Sequence, residues 1–187
     1  MRLLPSAVTD AEPVIDAGML SRVRDGSIDA LALLYDACHT QVFRIAYRLS
    51  GSRVEAEDVV HDVFVGLPRA LRDYQDDERF DAWISRVTAR VALMRMRATR
   101  SREQAHERLA REPARQGVTV ESVLDRITIE SALSALAEEL RVVFVLRAIE
   151  GWSHAEIATE LGIRANTSEV RYCRARQALR RMLKDDR

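Results

Sequence analysis

Cysteine is nearly missing from this chain: Cys38 and Cys173 are the only two, far apart in sequence. That excludes a disulfide framework and points to a reducing, cytoplasmic setting. Aromatic residues make up only 5% of the chain, and there are seven glycines. That scarcity, with the abundant Ala, Leu, Val and Arg, favours helices over sheets. No apolar run is long enough for a signal peptide or a membrane span, so no membrane insertion is expected. No glycine-rich phosphate loop is present, and neither Cys38 with His39 and His61 nor Cys173 with His154 has metal-ligand spacing. No nucleophile stands with a base and an orienting group. The expectation is therefore no catalytic residue, no metal, no cofactor, no small-molecule substrate and no enzymatic activity of the isolated chain.

Net charge is also lacking, since 29 basic residues balance 29 acidic ones. The balance hides blocks. Glu55 to Asp81 holds nine acids against Arg69, Arg72 and Arg79, a net of −6; Ala82 to Arg115 holds nine arginines against three glutamates, a net of +6. Arg164 to Arg187 carries eight bases against three acids, a net of +5. Two basic blocks suit nucleic acid, and the acidic one suits a surface that avoids phosphate. Solvated helix faces explain any single block equally well.

Apolar residues, at 47%, are enough for a packed core. Residues 1–18, with Pro5 and Pro13, show no period and read as a loose arm. Leu31, Leu34, Cys38, Val42, Ile45 and Leu49 step by three or four, marking one face of a long helix that Gly51 ends. A second helix follows through Ala56, Val60, Val63, Leu67 and Leu71. Pro68 inside it costs about 3 kcal/mol, so a kink or stop near Leu67 is expected. Asp73 to Glu78 is a polar loop, and a third helix runs through Trp83, Val87, Val91 and Met94. Arg100 to Gly117 offers one large apolar residue, Leu109, and reads as a linker. The chain thus divides into a loose arm (1–18), a helical domain (19–99), a linker (100–122) and a second helical domain (123–187). The fold class is all-α: two small helical domains joined by a flexible linker.

In the second domain, Leu133 and Leu136, then Leu140, Val143, Phe144 and Leu146, form two core helices. Ser153 with Glu156 reads as a capping box, Ile157 and Leu161 face inward, and Gly162 makes a tight turn. Asn166 or Thr167 caps a last helix bearing Val170, Tyr172, Ala175, Leu179 and Leu183. Two packed helices with a short glycine turn are helix-turn-helix grammar, and Arg171, Arg174 and Arg176 decorate the second. A helical hairpin with a basic solvent face is the bland alternative.

These residues resemble the extracytoplasmic-function σ factors of the sigma-70 family, from Asp25 to Leu183 apart from the linker. Ala56-Glu57-Asp58-Val59-Val60-His61-Asp62-Val63-Phe64 is similar to the family's polymerase-docking helix, and Phe80-Asp81-Ala82-Trp83-Ile84-Ser85-Arg86-Val87 to its promoter-melting helix. Ile157 to Ile163 and Arg171 to Leu179 resemble its reader of the upstream element. The resemblance implies region 2 at 19–99, region 4 at 123–187, and core RNA polymerase (the β′ clamp and the β flap), promoter DNA and an anti-σ factor as partners. It implies docking through Asp58, His61, Asp62 and Phe64, with Val59 and Val63 turned to the core. It places a pocket for a flipped minus-ten base in the loop Asp73 to Glu78, with Gln75, Asp76 and the other carboxylates on the base edge and Arg79, Arg86 and Arg90 on the strand backbone. Tyr74 either stacks on a base or closes the core, and Trp83 lies on the core stripe. Minus-thirty-five readers fall on Glu169, Val170, Cys173 and Arg174, while Arg171 and Arg176 hold phosphate.

Some positions depart from the family pattern. Gly66 and Pro68 fall where good helix formers are usual, Arg90 and Met94 where Asn and Asp are common, Arg164 in place of a proline, and Glu169 in place of a base. Three other functions compete. A conventional helix-turn-helix regulator would bind duplex DNA unaided. A σ mimic need not keep Arg86, Arg90 and Arg174. A serine recombinase would need a catalytic domain with strands, which the first hundred residues do not suggest.

Overall fold

The computed structural model describes residues 15–75, 79–109 and 129–184. Among them every regular element is helical. The first unit holds α1 (Ala17–Arg24), α2 (Ile28–Ser50), α3 (Arg53–Ala70), a 3₁₀ turn (Leu71–Asp73) and α4 (Phe80–Leu109). The second holds α5 (Ile129–Ser134), α6 (Glu138–Phe144) with a π turn (Val145–Ile149), α7 (His154–Leu161) and α8 (Ala165–Met182). The loose arm read at 1–18 lies mostly outside the described residues, although Ala17 and Gly18 open α1.

Side-chain caps start the first three helices. Asp16 accepts from Met19 N at 2.7 Å, Ser27 from Ala30 N at 3.3 Å and Ser52 from Glu55 N at 3.4 Å. Gly51 ends α2 in the left-handed conformation, at φ 72°. The inward face of α2 (Ala30, Leu34, Cys38, Val42, Ile45, Leu49) packs against α3 and α4. α1, which periodicity did not reveal, buries Met19, Leu20 and Val23. Its Arg24 Nε donates to Leu71 O at 3.1 Å and so braces the turn below α3.

Two elements of the first unit, α3 and α4, differ from expectation. Of the kink or stop expected near Leu67, the stop does not occur: α3 runs through Pro68 to Ala70. Leu67 and Leu71 are fully buried on either side of the proline, and burial of each is worth about 1.5–3 kcal/mol, enough to offset the missing bond. α4 continues to Leu109, ten residues into the expected linker. A helix already nucleated extends through Arg, Glu, Gln and Ala without needing an apolar face, because each residue adds a bond with no new nucleation cost. The core stripe of α4 is Ile84, Thr88, Ala89, Ala92 and Leu93, while Met94 is exposed and Trp83, Val87 and Val91 are half-buried. The buried stripe thus lies about one residue away from the Trp83–Val87–Val91–Met94 line that periodicity predicts.

In the second unit Leu133, Leu136, Val143, Leu146, Trp152, Ile157, Ala175 and Leu179 form the core. Both halves of the Ser153–Glu156 capping box are made, and Gly162 ends α7 at φ 65°. α8 starts sooner than expected: Arg164 is its N-cap with no side-chain bond, and Asn166 and Thr167 lie inside its first turn. Ile163 N bonds Ala158 O at 3.0 Å and Ser168 N bonds Arg164 O at 3.1 Å, so the turn is complete before Asn166. The two units touch, α6 and α5 lying against α2.

Candidate nucleic-acid interface

Of the residues expected to dock the polymerase, Asp58 and His61 are exposed on α3 and Asp62 is half-exposed. Val59 and Val63 are buried beneath them, as the resemblance implied. Phe64 is not on this ridge. Only 6% of it is exposed, and its ring lies 4.7 Å from that of Tyr35, which covers it from the α2 surface. Four residues after Val60 and one after Val63, it falls within the buried arc of α3.

The acidic ridge carries a partner that local patterning does not reveal. Arg95 of α4 donates to Asp58 Oδ2 at 2.6 Å and to Asp62 Oδ2 at 2.5 Å. This hydrogen bond holds the Asp62 carboxyl below its ordinary pKa against a smaller opposing effect of burial, and it raises that of Arg95. The two acids are therefore fixed side by side with one shared counter-charge.

The minus-ten candidates surround the start of α4. Gln41 of α2 fixes that start, donating to Asp81 O at 3.1 Å and Ser85 Oγ at 3.0 Å. Tyr74 is half-buried, its ring edge-on to Trp83 at 5.1 Å and Phe80 at 5.9 Å, so it closes an aromatic corner of the core. Gln75 and Arg79 are exposed, Arg79 lying 3.9 Å from the Asp81 carboxylate. Asp76 lies outside the described residues. Arg86 and Arg90 project from one face of α4, one turn apart.

On α8, Glu169, Val170, Cys173, Arg174 and Arg176 are exposed, and their spacing places them on neighbouring stripes of one face. Buried Ser168, Ala175 and Leu179 hold the opposite face. Arg171 is partly buried and pairs with Glu139 at 3.1 Å, while the Arg176 guanidinium lies 5.7 Å over the Tyr172 ring. His154 Nδ1 and Ser168 Oγ are 2.9 Å apart, tying α7 to α8 across the turn. The arrangement presents a basic, solvated helix from a rigidly capped turn, the geometry that enters a major groove.

Among the described residues no group of three or more His, Cys, Asp or Glu is placed to hold a metal ion, and no helix is long and apolar enough to cross a membrane. Both cysteines are free thiols. Cys38 donates to Leu34 O at 2.9 Å, and burial pushes its pKa up to about 12.

Comparison with known proteins matches residues 34–102 to Sigma-70 region 2 and residues 126–179 to Sigma-70 region 4. Those two regions in that order define a sigma-70 RNA polymerase specificity subunit, which directs core polymerase to promoters. Within that class the chain belongs to the extracytoplasmic-function (ECF) σ factors. It is 32% identical over 157 residues to the ECF σ factor SigL of Mycobacterium tuberculosis, covering 81% of this chain and 88% of that protein. It is 26% identical over 178 residues to SigW of Bacillus subtilis, covering 89% and 95%. It is 36% identical over 145 residues to SigE of Mycolicibacterium smegmatis, covering 75% of this chain but only 56% of that longer protein. The fold is similar to that of CnrH, solved in complex with the cytosolic domain of CnrY (TM-score 0.50, 29% identity, 90% of this chain and 97% of CnrH). It is also similar to RpoE of Bartonella quintana, solved with the anti-sigma factor NepR (TM-score 0.57, 22% identity, 86% and 100%). These findings do not favour the stand-alone helix-turn-helix regulator.

Proposed function

We propose that the chain divides promoter recognition among three surfaces. Asp58, His61 and Asp62 dock on the coiled-coil clamp of β′, without the buried Phe64. Acidic groups suit that partner because they repel the nearby DNA. Gln75 and Asp76 take the edge of a flipped minus-ten base, Arg79, Arg86 and Arg90 hold the displaced strand, and Tyr74 supports the pocket from the core side. Glu169, Val170, Cys173 and Arg174 read the minus-thirty-five bases, and Arg176 holds phosphate. Arg171, tied to Glu139, orients the helix as well as contacting backbone. The second unit rests on the β flap.

The isolated chain has no enzymatic activity of its own and acts in the cytoplasm with the polymerase. The CnrH and RpoE structures, each solved with a bound partner, support control of this chain by an anti-σ factor covering the α3 ridge. The observation that carries this proposal is that the acidic ridge, the arginine row of α4 and the basic face of α8 lie on different elements, each anchored by its own buried stripe.

Run-off transcription with purified core polymerase tests it. Added chain should yield a transcript from a cognate promoter, and no stimulation over core alone at any promoter tried would defeat the proposal.

A further inference from the structure

Asp58 and Asp62 stand one turn apart on α3, and like charges at that spacing repel on a helix. Without a counter-charge the two carboxylates would turn away from each other into water. Arg95 of α4 prevents this. Its Nη2 donates to Asp58 Oδ2 at 2.6 Å and its Nη1 to Asp62 Oδ2 at 2.5 Å, so one planar fork spans both acids. Each acid gives Arg95 only one of its oxygens. The other oxygen of Asp62 lies 3.5 Å from His61 Nδ1, which joins His61, Asp62, Arg95 and Asp58 in one continuous line of contacts.

The brace comes from the neighbouring helix. Arg95 follows buried Ala92 on α4, and a cleft of about 220 Å³ beside the bridge is lined by Glu55, Val59, Ala92, Thr99 and Arg102. Arg102 donates to Ala98 O and Thr99 Oγ1 on its own helix, both at 3.3 Å, and leaves the two acids to Arg95. Further along the ridge, Arg53 Nε pairs with Glu57 at 2.9 Å. Two guanidiniums thus answer three of the four acids between Glu55 and Asp62, and the ridge is less negative than its sequence. What it offers a partner is a set of fixed oxygens more than a large charge.

We infer that Arg95 is a positioning residue of the docking ridge: by bridging Asp58 and Asp62 it fixes where their outward oxygens stand, and so governs how long a bound polymerase stays. The inference rests on the docking role proposed for those two acids. Arg95 has two effects of opposite sign. Its charge offsets that of the ridge and slows the encounter with a basic surface, because net charge acts mainly on the rate of association. Its fork orders the ridge beforehand, so less freedom is lost on binding and the complex separates more slowly.

Binding kinetics of the full chain on immobilised core RNA polymerase test it. Arg95→Met should associate faster at low salt, since the ridge gains negative charge, yet dissociate about five- to tenfold faster and bind more weakly overall. Arg95→Lys keeps the charge but cannot span both carboxylates. It should associate like the parent chain and dissociate as fast as Arg95→Met, whereas a role limited to packing or charge would leave it like the parent. Helical content by circular dichroism should be unchanged in both. In the Asp58→Asn, Asp62→Asn chain binding should weaken, and adding Arg95→Met should speed dissociation no further. Tighter binding by Arg95→Met would show that Arg95 masks the ridge and would overturn the inference, as would parent-like dissociation of Arg95→Lys. Parent-like binding by the Asp58→Asn, Asp62→Asn chain would instead remove the docking role, and this inference with it.

Discussion

The guanidinium of Arg141 and the carbonyl of Ser50, ninety-one positions apart in the chain, meet at 2.7 Å. This contact joins the helix carrying the acidic-ridge unit's longest buried stripe to the unit carrying the helix-turn-helix. It also explains why the residue after Ser50 is glycine: Gly51 must both adopt φ 72° and leave room for the guanidinium. Replacing Arg141 by Met leaves the carbonyls at the end of α2 unsatisfied, at a cost of about 1–3 kcal/mol. Gly51→Ala adds about 1–2 kcal/mol of left-handed backbone strain to the crowding. Urea unfolding of both variants should show reduced stability, and an unchanged midpoint for either would contradict the contact.

A pH dependence follows from the ridge. Arg95 holds the Asp62 pKa in the folded chain below its ordinary 3.8. Stabilisation from this group is therefore present above the ordinary value and is lost as pH falls through the lowered one. Asp62→Asn should be less stable than wild type at pH 7, by no more than about 1 kcal/mol because the pair is half-exposed. That gap should close in acid. A gap that stays constant from pH 7 to well below the ordinary carboxylate value would show that Arg95 does not act on Asp62 as described.

The two thiols should separate cleanly. Cys38 is buried and held neutral up to about pH 12, while Cys173 is exposed on α8. Because the thiolate is the reactive form, a thiol reagent at pH 8 should titrate one group per native chain and two after denaturation. Two rapid reactions in the native chain would place Cys38 outside the core.

Base reading and phosphate holding should respond differently to substitution. Arg174→Ala should cost about 1–3 kcal/mol and relax preference at one minus-thirty-five position. Arg176→Ala should weaken binding to all sequences alike and reduce the salt slope by about one. Holoenzyme binding to a set of single-base promoter variants, at several salt concentrations, distinguishes the two. Identical profiles for both variants would contradict the assignment.

The parts of the fold that periodicity encodes are legible in the sequence. Leu34, Cys38, Val42, Ile45 and Leu49 all lie on the buried face of α2, and Ser153, Glu156 and Gly162 place α7 and its turn, because spacing and capping are local properties. α1 was not legible: eight residues with Met19, Leu20 and Val23 are too short a pattern beside two prolines. On α4 the largest apolar residues do not mark the core stripe: Met94 is exposed and Trp83 half-buried, while small Ala89 and Ala92 are buried where the helices pack closely. At the site, the residues of α3 and α8 were named by the resemblance, and all but Phe64 prove at least partly exposed. The Arg95 bridge and the Arg141 contact could not be anticipated, since their partners lie 33 to 92 positions away and only tertiary packing brings them together.

Strand opening is the most direct test of the central claim that this chain guides polymerase to promoters and melts them. Permanganate reacts with unpaired thymines, so a cognate promoter should be probed with core polymerase, with core plus chain, and with chain alone. Reactive thymines around the minus-ten element only when both proteins are present, and their loss when Asp58 and Asp62 are both reversed to Lys, is the predicted result. Equal reactivity with core alone, or full opening by the Asp58→Lys, Asp62→Lys chain, would contradict it.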